Sequence, residues 1–223
     1  PRDTIVIDRP IRVVGAGKAT TFITGTALAG DRHGLAVNHD GAALSGVTIR
    51  DYTWTLDHKA NIPSGTGPAY GTTLRLEKGT VRDVIFSNCT MGGHYISGSV
   101  AVRGGLMEDV EITGTRRTHA NMVDTYGASL YQTGGTVRRL YNHNNEAVST
   151  HGNISISGGL LEDSRIAANG TSAYGGSAGG IYIAGGTVRN TLIVGNQNNT
   201  GAAGVHQTAG RLEHCPIVGN VSA

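Results

Sequence analysis

The chain has 223 residues, of which 35 are glycine and only 5 are proline. Eighteen basic residues against sixteen acidic ones leave a formal net charge of +2, so the composition predicts neither a basic face for nucleic acid nor an acidic tail. No apolar run reaches the ~18 residues of a membrane-spanning helix. The apolar residues are mainly valine, isoleucine, leucine and alanine, which together with many glycine corners favours a β-rich fold.

The first predicted element is a strand from Thr4 to Ile7, inside an opening stretch, Ile5 to Ile23, that forms the first unit of an internal repeat. A degenerate second unit starts at Gly41. Clearer units follow at intervals of 26, 30, 24, 27 and 24 residues, and they start at Gly79, Gly105, Gly135, Gly159, Gly186 and Gly210. A repeat of this length, without a leucine-rich consensus or a helical period, predicts a β-solenoid.

Equivalent positions of the units carry like residues, which indicates like surroundings one turn apart. Three apolar positions are predicted to point inward from three short strands per turn. Five residues before the glycine stand Leu74, Val100, Leu130, Ile154, Ile181 and Val205. Two residues after it stand Val81, Met107, Val137, Leu161, Val188 and Leu212. Seven residues after it stand Phe86, Ile112, Asn142, Ile166, Ile193 and Ile217.

Ten residues after the glycine, four of the units share an asparagine. These asparagines are Asn145, Asn169, Asn196 and Asn220. Asparagine tolerates a left-handed backbone and bonds nearby main-chain groups. We therefore expect these side chains to stack at one corner of the coil as an asparagine ladder.

Three residues after the glycine the sign of the charge alternates, through Arg82, Glu108, Arg138, Glu162, Arg189 and Glu213. Because like charges would repel at a layer spacing of ~4.8 Å, this alternation is predicted to pair each side chain with both neighbours and to fix the register. The same spacing puts Cys89 and Cys215 five layers, or roughly 24 Å, apart, which excludes a disulfide between them. Both cysteines are predicted to be small buried hydrophobes.

The repeat resembles the right-handed parallel β-helix proteins of the pectate-lyase-like superfamily over nearly the whole chain. The opening stretch from Ile5 to Lys18 looks like the first rung of such proteins, and the unit from Gly180 to Asn196 is similar to repeats of bacterial surface and autotransporter-passenger proteins. The resemblance implies an all-β, right-handed single-stranded parallel β-helix (solenoid) of about eight rungs. It implies little about chemistry, because the superfamily includes lyases, hydrolases, adhesins and phage tailspikes.

Residues 1–223 are expected to form a single parallel β-helix domain that is part of a longer protein, because neither end carries a polar or helical cap. Self-association of copies end to end is the alternative, since an exposed rung offers unpaired backbone groups to another strand. The chain starts at once as a strand, so any export signal was removed or lies outside this sequence.

A binding surface is predicted four residues before the glycine, where Tyr131, Tyr182 and His206 share an outward column. The two tyrosines stand two layers, or ~10 Å, apart, which is close to the repeat of a disaccharide in an extended glycan. Trp54 and His58, in an interruption of the repeat from Tyr52 to Tyr70, are further candidate ligand-binding residues. The alternative is that tyrosine simply favours exposed strand positions.

An enzyme is the second reading, through Asp83, Asp109, Arg139 and Asp163, four residues after the glycine. In β-helix polysaccharide lyases, carboxylates on neighbouring rungs hold calcium against an acidic sugar, and an arginine or lysine removes the proton beside the uronate carboxyl. The same column continues with an asparagine and a histidine, which is typical of a corner that accepts any short polar residue.

We expect a secreted or cell-surface module with a structural or adhesive role, in contact with a polysaccharide or cell-surface glycan. The alternative is a polysaccharide-active enzyme, namely a calcium-assisted uronate lyase, and its catalytic residues stay unknown beyond the four candidates above. No cofactor is expected, with Ca²⁺ required only by the lyase alternative. The sequence has no paired cysteine or histidine spacing that would indicate a metal site. No nucleic-acid partner is expected.

Overall fold

A computed structural model describes residues 4–25, 27–28, 34–56, 69–93, 96–117, 126–148, 151–171 and 176–223. The described chain is an all-β parallel solenoid of about seven turns, without a helix. This confirms the predicted fold class and the approximate number of rungs. The right-handed coil stays a prediction.

Each turn contributes strands to four columns. The first column contains Ile5–Ile7, Leu35–Val37, Leu74–Leu76, Val100–Val102, Leu130–Gln132, Ile154–Ile156 and the first parts of Ile181–Arg189 and Val205–Glu213. The second contains Arg12–Val14, the first parts of Ala43–Arg50, Thr80–Ser87 and Leu106–Thr113, then Thr136–Arg138, Leu160–Glu162 and the second parts of the two longest strands.

The third column contains Phe22–Thr24, the second parts of the three eight-residue strands, Tyr141–His143, Arg165–Ala167, Leu192–Val194 and Ile217–Val218. The fourth contains Ala27–Leu28, Thr53–Leu56, Thr90–Gly93, Arg116–Arg117, Glu146–Ala147, Gly170–Thr171, Gln197–Asn198 and Val221–Ser222. A separate pair joins Ala69–Tyr70 to Ile96–Ser97. The prediction of three strands per turn was therefore one column short.

The predicted inward columns stack in the predicted register, and their members are buried except in the last layer, where Ile217 is 47% exposed. Val137 pairs in parallel register with Leu161, which pairs with Val188, and all three are fully buried. The other two columns stack in the same way, from Leu74 to Val205 and from Phe86 to Ile217. The core is thus a set of stacked aliphatic side chains that fills the interior of the coil, and adjacent strands support it at each layer.

The asparagine ladder is confirmed as a continuous chain of amide hydrogen bonds. Nδ2 of Asn145 donates to Oδ1 of Asn169 at 3.0 Å, and Nδ2 of Asn169 donates to Oδ1 of Asn196 at 3.0 Å. Nδ2 of Asn196 continues the chain to Oδ1 of Asn220 at 2.9 Å. The sequence pattern related these asparagines to a left-handed backbone, but the ladder residues themselves do not have a positive φ. The positive φ falls one residue earlier, for example at Asn144 with φ 53°.

The column four residues after the glycine forms a further left-handed corner. Its members have φ between 49° and 55°, and they are Asp83, Asp109, Arg139, Asp163, Asn190 and His214. Asparagine, aspartate and histidine are the non-glycine residues that most often tolerate this conformation. The polarity of the column is therefore accounted for by backbone geometry.

The two cysteines are free thiols. Cys89 is buried, and that burial raises the pKa of its thiol. Cys215 is half-buried, so the prediction that both are buried holds for Cys89 only. The reason is that Cys215 lies in the last layer, which no further layer of the described chain covers.

Candidate functional site

Five aromatic rings form a row along the outside of the first column, and we call this row the aromatic file. Its members are Tyr131, Tyr126, His151, Tyr182 and His206. The centroids of Tyr131 and Tyr126 lie 5.4 Å apart, and those of Tyr126 and His151 lie 4.4 Å apart, both pairs stacked. His151 meets Tyr182 edge-on at 4.4 Å, and Tyr182 stacks on His206 at 5.3 Å.

The sequence placed three members of this file in one column, and the backbone register agrees. Tyr131 pairs with Ser155, Ser155 with Tyr182, and Tyr182 with His206. The interval between the two tyrosines is not open, however, because Tyr126 and His151 fill it. These two residues come from the segments before the strands, so the column pattern gave no signal for them.

Stacking sets which parts of the rings meet solvent. Tyr131 is only 7% exposed, while the other four rings are half-buried. Because the ring faces mostly meet one another, the file presents ring edges and polar atoms outward rather than open flat faces. Ser155 lies beneath the file with 1% of its surface exposed, and its Oγ has no hydrogen-bond partner in the described part of the chain. The aromatic file is thus an amphipathic surface with the buried Ser155 hydroxyl beneath it.

Trp54 does not belong to this surface. It lies in the fourth-column strand Thr53–Leu56, in register with Met91, and is 3% exposed as part of the core. It was placed in a loop because its segment lacks the glycine pattern of the other units. His58, the neighbouring candidate, lies outside the described residues.

The four candidate catalytic residues are each engaged along the coil axis. Nζ of Lys18 lies 3.1 Å from Oδ1 of Asp83. Nε and Nη2 of Arg139 donate to the two carboxylate oxygens of Asp109 at 2.6 and 2.9 Å. Asp163 accepts a hydrogen bond from Nδ2 of Asn190 at 3.3 Å. Asp109 and Arg139 are brought together, whereas Asp83 and Asp163 bind different partners.

The electrostatics of this cluster favours ion pairing. The hydrogen bonds that Arg139 donates to Asp109 and Glu108 raise the pKa of Arg139 above its usual value. The hydrogen bond from Arg139 lowers the pKa of Asp109, and hydrogen bonds from Arg138 and Arg139 lower that of Glu108. A general base must be deprotonated before it can accept a proton from the substrate. A raised pKa disfavours the deprotonated form, so it is the wrong direction for Arg139. No group of three metal-ligating side chains occurs within the described ranges.

The lowered carboxylate pKa values predict a specific acid sensitivity. A carboxylate whose pKa is lower in the folded state adds stability above its unfolded pKa, and that stability is lost as pH falls through the folded pKa. In an Arg139→Asn variant, which keeps a residue that tolerates positive φ, we expect the unfolding midpoint to fall less between about pH 5 and pH 2 than in the wild type. Thermal unfolding followed by circular dichroism over this range measures it.

Arg211→Asn is the matched control for that prediction. Nη1 of Arg211 lies 4.0 Å from Oε1 of Glu213 and its side chain is 76% exposed, so its ion pair contributes little. This variant should follow the wild-type pH dependence. Equal acid sensitivity of the Arg139→Asn variant and the wild type would contradict the assigned pairing.

Reading the sequence by columns also missed a buried arginine. Arg117 lies in the fourth column, in register with Met91, and is 2% exposed. Burial lowers the pKa of its guanidinium to about 9. The adjacent segment 118–125 lies outside the described residues. The sequence signal available for this buried arginine was its position, since it lies in a short strand that precedes an interruption of the repeat.

Comparison of the chain with protein-family models, curated proteins and solved structures finds no match. The resemblance to the pectate-lyase-like superfamily and to autotransporter passengers therefore stays a prediction, while the solenoid itself is established. In the described ranges no helix is long and apolar enough to span a membrane.

Proposed function

We propose that this chain is a structural module of a secreted or surface-displayed protein, with a role in adhesion. The proposal rests on one observation: ionisable side chains pair between neighbouring layers. Arg138 binds Glu108, Arg189 binds Glu162, Arg139 binds Asp109 and His143 binds Glu111, at 2.6, 2.6, 2.6 and 3.0 Å. Each pair joins one turn of the coil to the next.

This arrangement suits a scaffold better than a catalyst. An active site collects groups of perturbed pKa around a cavity, where at least one of them is free to exchange a proton. Here three groups with shifted pKa values, Glu108, Asp109 and Arg139, already neutralise each other. A rod of stacked turns also presents long, regular side-chain columns, which is the geometry of an extended binding surface.

The aromatic file supplies the adhesive contact in this proposal. Tyrosine and histidine combine an apolar ring with a polar edge, so a row of them can cover the apolar faces of a sugar chain and bond its hydroxyls. The file crosses several layers and runs along the coil, which suits an extended glycan. Because the faces are stacked, the contacts are expected to come from ring edges, tyrosine hydroxyls and imidazole nitrogens.

A glycan array with the full chain, followed by titration of any glycan that binds, tests the proposal. Tyr182→Ala removes the tyrosine between His151 and His206 and is expected to weaken binding about tenfold, the equivalent of one or two lost contacts. Tyr141→Ala is the control, because Tyr141 is 39% exposed but stacks on His143 in the third column. Equal affinities of Tyr182→Ala and wild type, or no glycan bound at all, would leave only the structural role.

The uronate lyase remains the competing outcome, since a cavity of about 480 Å³ is lined by Asp83 and Asp109. Incubation with acidic polysaccharides and calcium should give no rise in absorbance near 235 nm, where the unsaturated product of a lyase absorbs. A rise that disappears in an Arg139→Ala variant would overturn the proposal.

A further inference from the structure

A second, separate surface lies on the outside of the second column in the first three layers. It is a concave cavity of about 320 Å³, and its lining includes Arg12, Asp40, Gly41, Ser45, Thr80 and Arg82. The cavity adjoins the one of about 480 Å³ described above, with which it shares Val14, Ser45 and Arg82. We call it the Arg12–Arg82 cavity.

The cavity exists because small residues interrupt the columns of long side chains. Ala43 stands between Arg12 and Thr80 in one column, and Ser45 stands between Val14 and Arg82 in the next. Layers are ~4.8 Å apart, so Arg12 and Arg82 lie two layers apart on opposite sides of this gap. Two long guanidinium side chains can therefore reach one small molecule in the depression from both sides.

Arg82 is the arginine that the alternating charge column leaves without a carboxylate. Its neighbour in the preceding layer is Ser45, and its neighbour in the following layer is Glu108. Glu108 is already bound by Arg138 and Arg139, both through Oε2, at 2.6 and 2.8 Å. Among the described residues, neither Arg82 nor Arg12 has an ion pair within 4.0 Å.

The acidic residues around the cavity do not cancel these two charges. Asp83 is paired with Lys18 at 3.1 Å, and Asp109 is paired with Arg139 at 2.6 Å. Asp40 faces Lys78, with its Oδ2 3.8 Å from Nζ. Each carboxylate thus has its own cation, and the cavity keeps an excess of two positive charges from the two arginines.

We propose that the Arg12–Arg82 cavity binds an oxyanion, namely a phosphate or sulfate group. Guanidinium forks bind tetrahedral oxyanions through paired, charge-assisted hydrogen bonds, and arginine serves this role better than lysine. Ser45 and Thr80, which also line the cavity, supply neutral hydroxyl donors beside the two forks. The site is independent of the aromatic file and lies on a different column of the coil.

The group can come from a free ion or from an ester on a larger molecule such as a sulfated glycan. Calorimetric titration of the full chain with inorganic phosphate, inorganic sulfate and a sulfated oligosaccharide separates these sources, with the desulfated oligosaccharide as the reference. Saturable binding of any of the three anions is expected, and it should weaken as salt concentration rises. Saturable binding by the ester alone assigns the group to a larger ligand.

Arg82→Gln and Arg12→Gln are each expected to weaken anion binding tenfold or more, because each removes a charge-assisted contact. Arg82→Lys, which keeps the charge but not the fork, should fall between Arg82→Gln and the wild type. Arg116→Gln is the matched control, since Arg116 is also exposed but lies in the fourth column away from the cavity. No saturable binding, or equal weakening by Arg116→Gln, would overturn the proposal, and wild-type circular dichroism of each variant excludes misfolding.

Discussion

Replacing Asn169 with alanine is expected to lower the free energy of unfolding by about 3 kcal/mol, since a buried polar group left without a partner costs about 1–3 kcal/mol. Asn169 is 1% exposed and lies in the middle of the ladder. Its Oδ1 accepts from the main-chain N and from Nδ2 of Asn145, at 3.1 and 3.0 Å. Its Nδ2 donates to the Asn142 carbonyl at 3.2 Å as well as to Asn196.

Urea unfolding of two further variants makes the ladder prediction specific. Asn220→Ala should cost less than Asn169→Ala, because Asn220 is half-buried and water can satisfy the amide of Asn196. Asn199→Ala, at an exposed position outside the ladder, should change stability by no more than about 0.5 kcal/mol. A loss at Asn169 as small as that at Asn199 would contradict a stabilising ladder.

The second large effect is expected for Gly159→Ala, which should lower stability by about 4 kcal/mol or prevent folding, as substitutions that force backbone displacement do. Gly159 has φ +81°, and a Cβ atom there would stand 2.6 Å from the carbonyl oxygens of Gly134 and Gly135 in the preceding layer. Neither contact is with a flexible side chain. Two adjacent turns would have to move apart.

Gly195→Ala separates the clash from the cost of a left-handed backbone. Gly195 has φ +63°, but nothing lies within 4 Å of the position its Cβ would take. This variant should lose only about 1–2 kcal/mol, the penalty of a non-glycine residue in that conformation. Urea unfolding of both variants gives the comparison, and equal losses at the two positions would show that the close approach of layers at Gly159 is misassigned.

The columns were predictable from the sequence because the coil repeats the same surroundings every turn. Glycine at a fixed corner aligned the units despite their unequal lengths, and aliphatic residues at fixed distances from it identified the inward positions of Val137, Leu161 and Val188. The alternating charges followed from the same alignment. What repeats in the structure was therefore visible as a repeat in the sequence.

The fourth column was missed because its strands are mostly two residues long and stand next to the variable insertions. Trp54 and Arg117 consequently appeared to belong to irregular segments, although both are buried. Tyr126 and His151 escaped for the same reason, since they lie ahead of the aligned positions. Contacts made by residues of non-repeating segments do not recur from turn to turn, so no periodic pattern in the sequence predicts them.

Charge alternation alone also gave an incomplete account of pairing. It predicted that each side chain would have two partners, whereas Glu108 binds Arg138 and, from the adjacent corner column, Arg139. Side chains of two columns can share one carboxylate, which reading a single column cannot reveal. As a consequence, Arg82 has no ion pair among the described residues.

Methyl nuclear Overhauser effects test the central claim, that equivalent residues of successive units stack one layer apart, most directly. With Val and Leu methyl labelling, Leu161 should show cross-peaks to both Val137 and Val188, which precede and follow it in adjacent layers. Val81 should show none to Val188, which is four layers away, or roughly 19 Å. A cross-peak between Val81 and Val188, or the absence of both peaks from Leu161, would contradict the stacked coil.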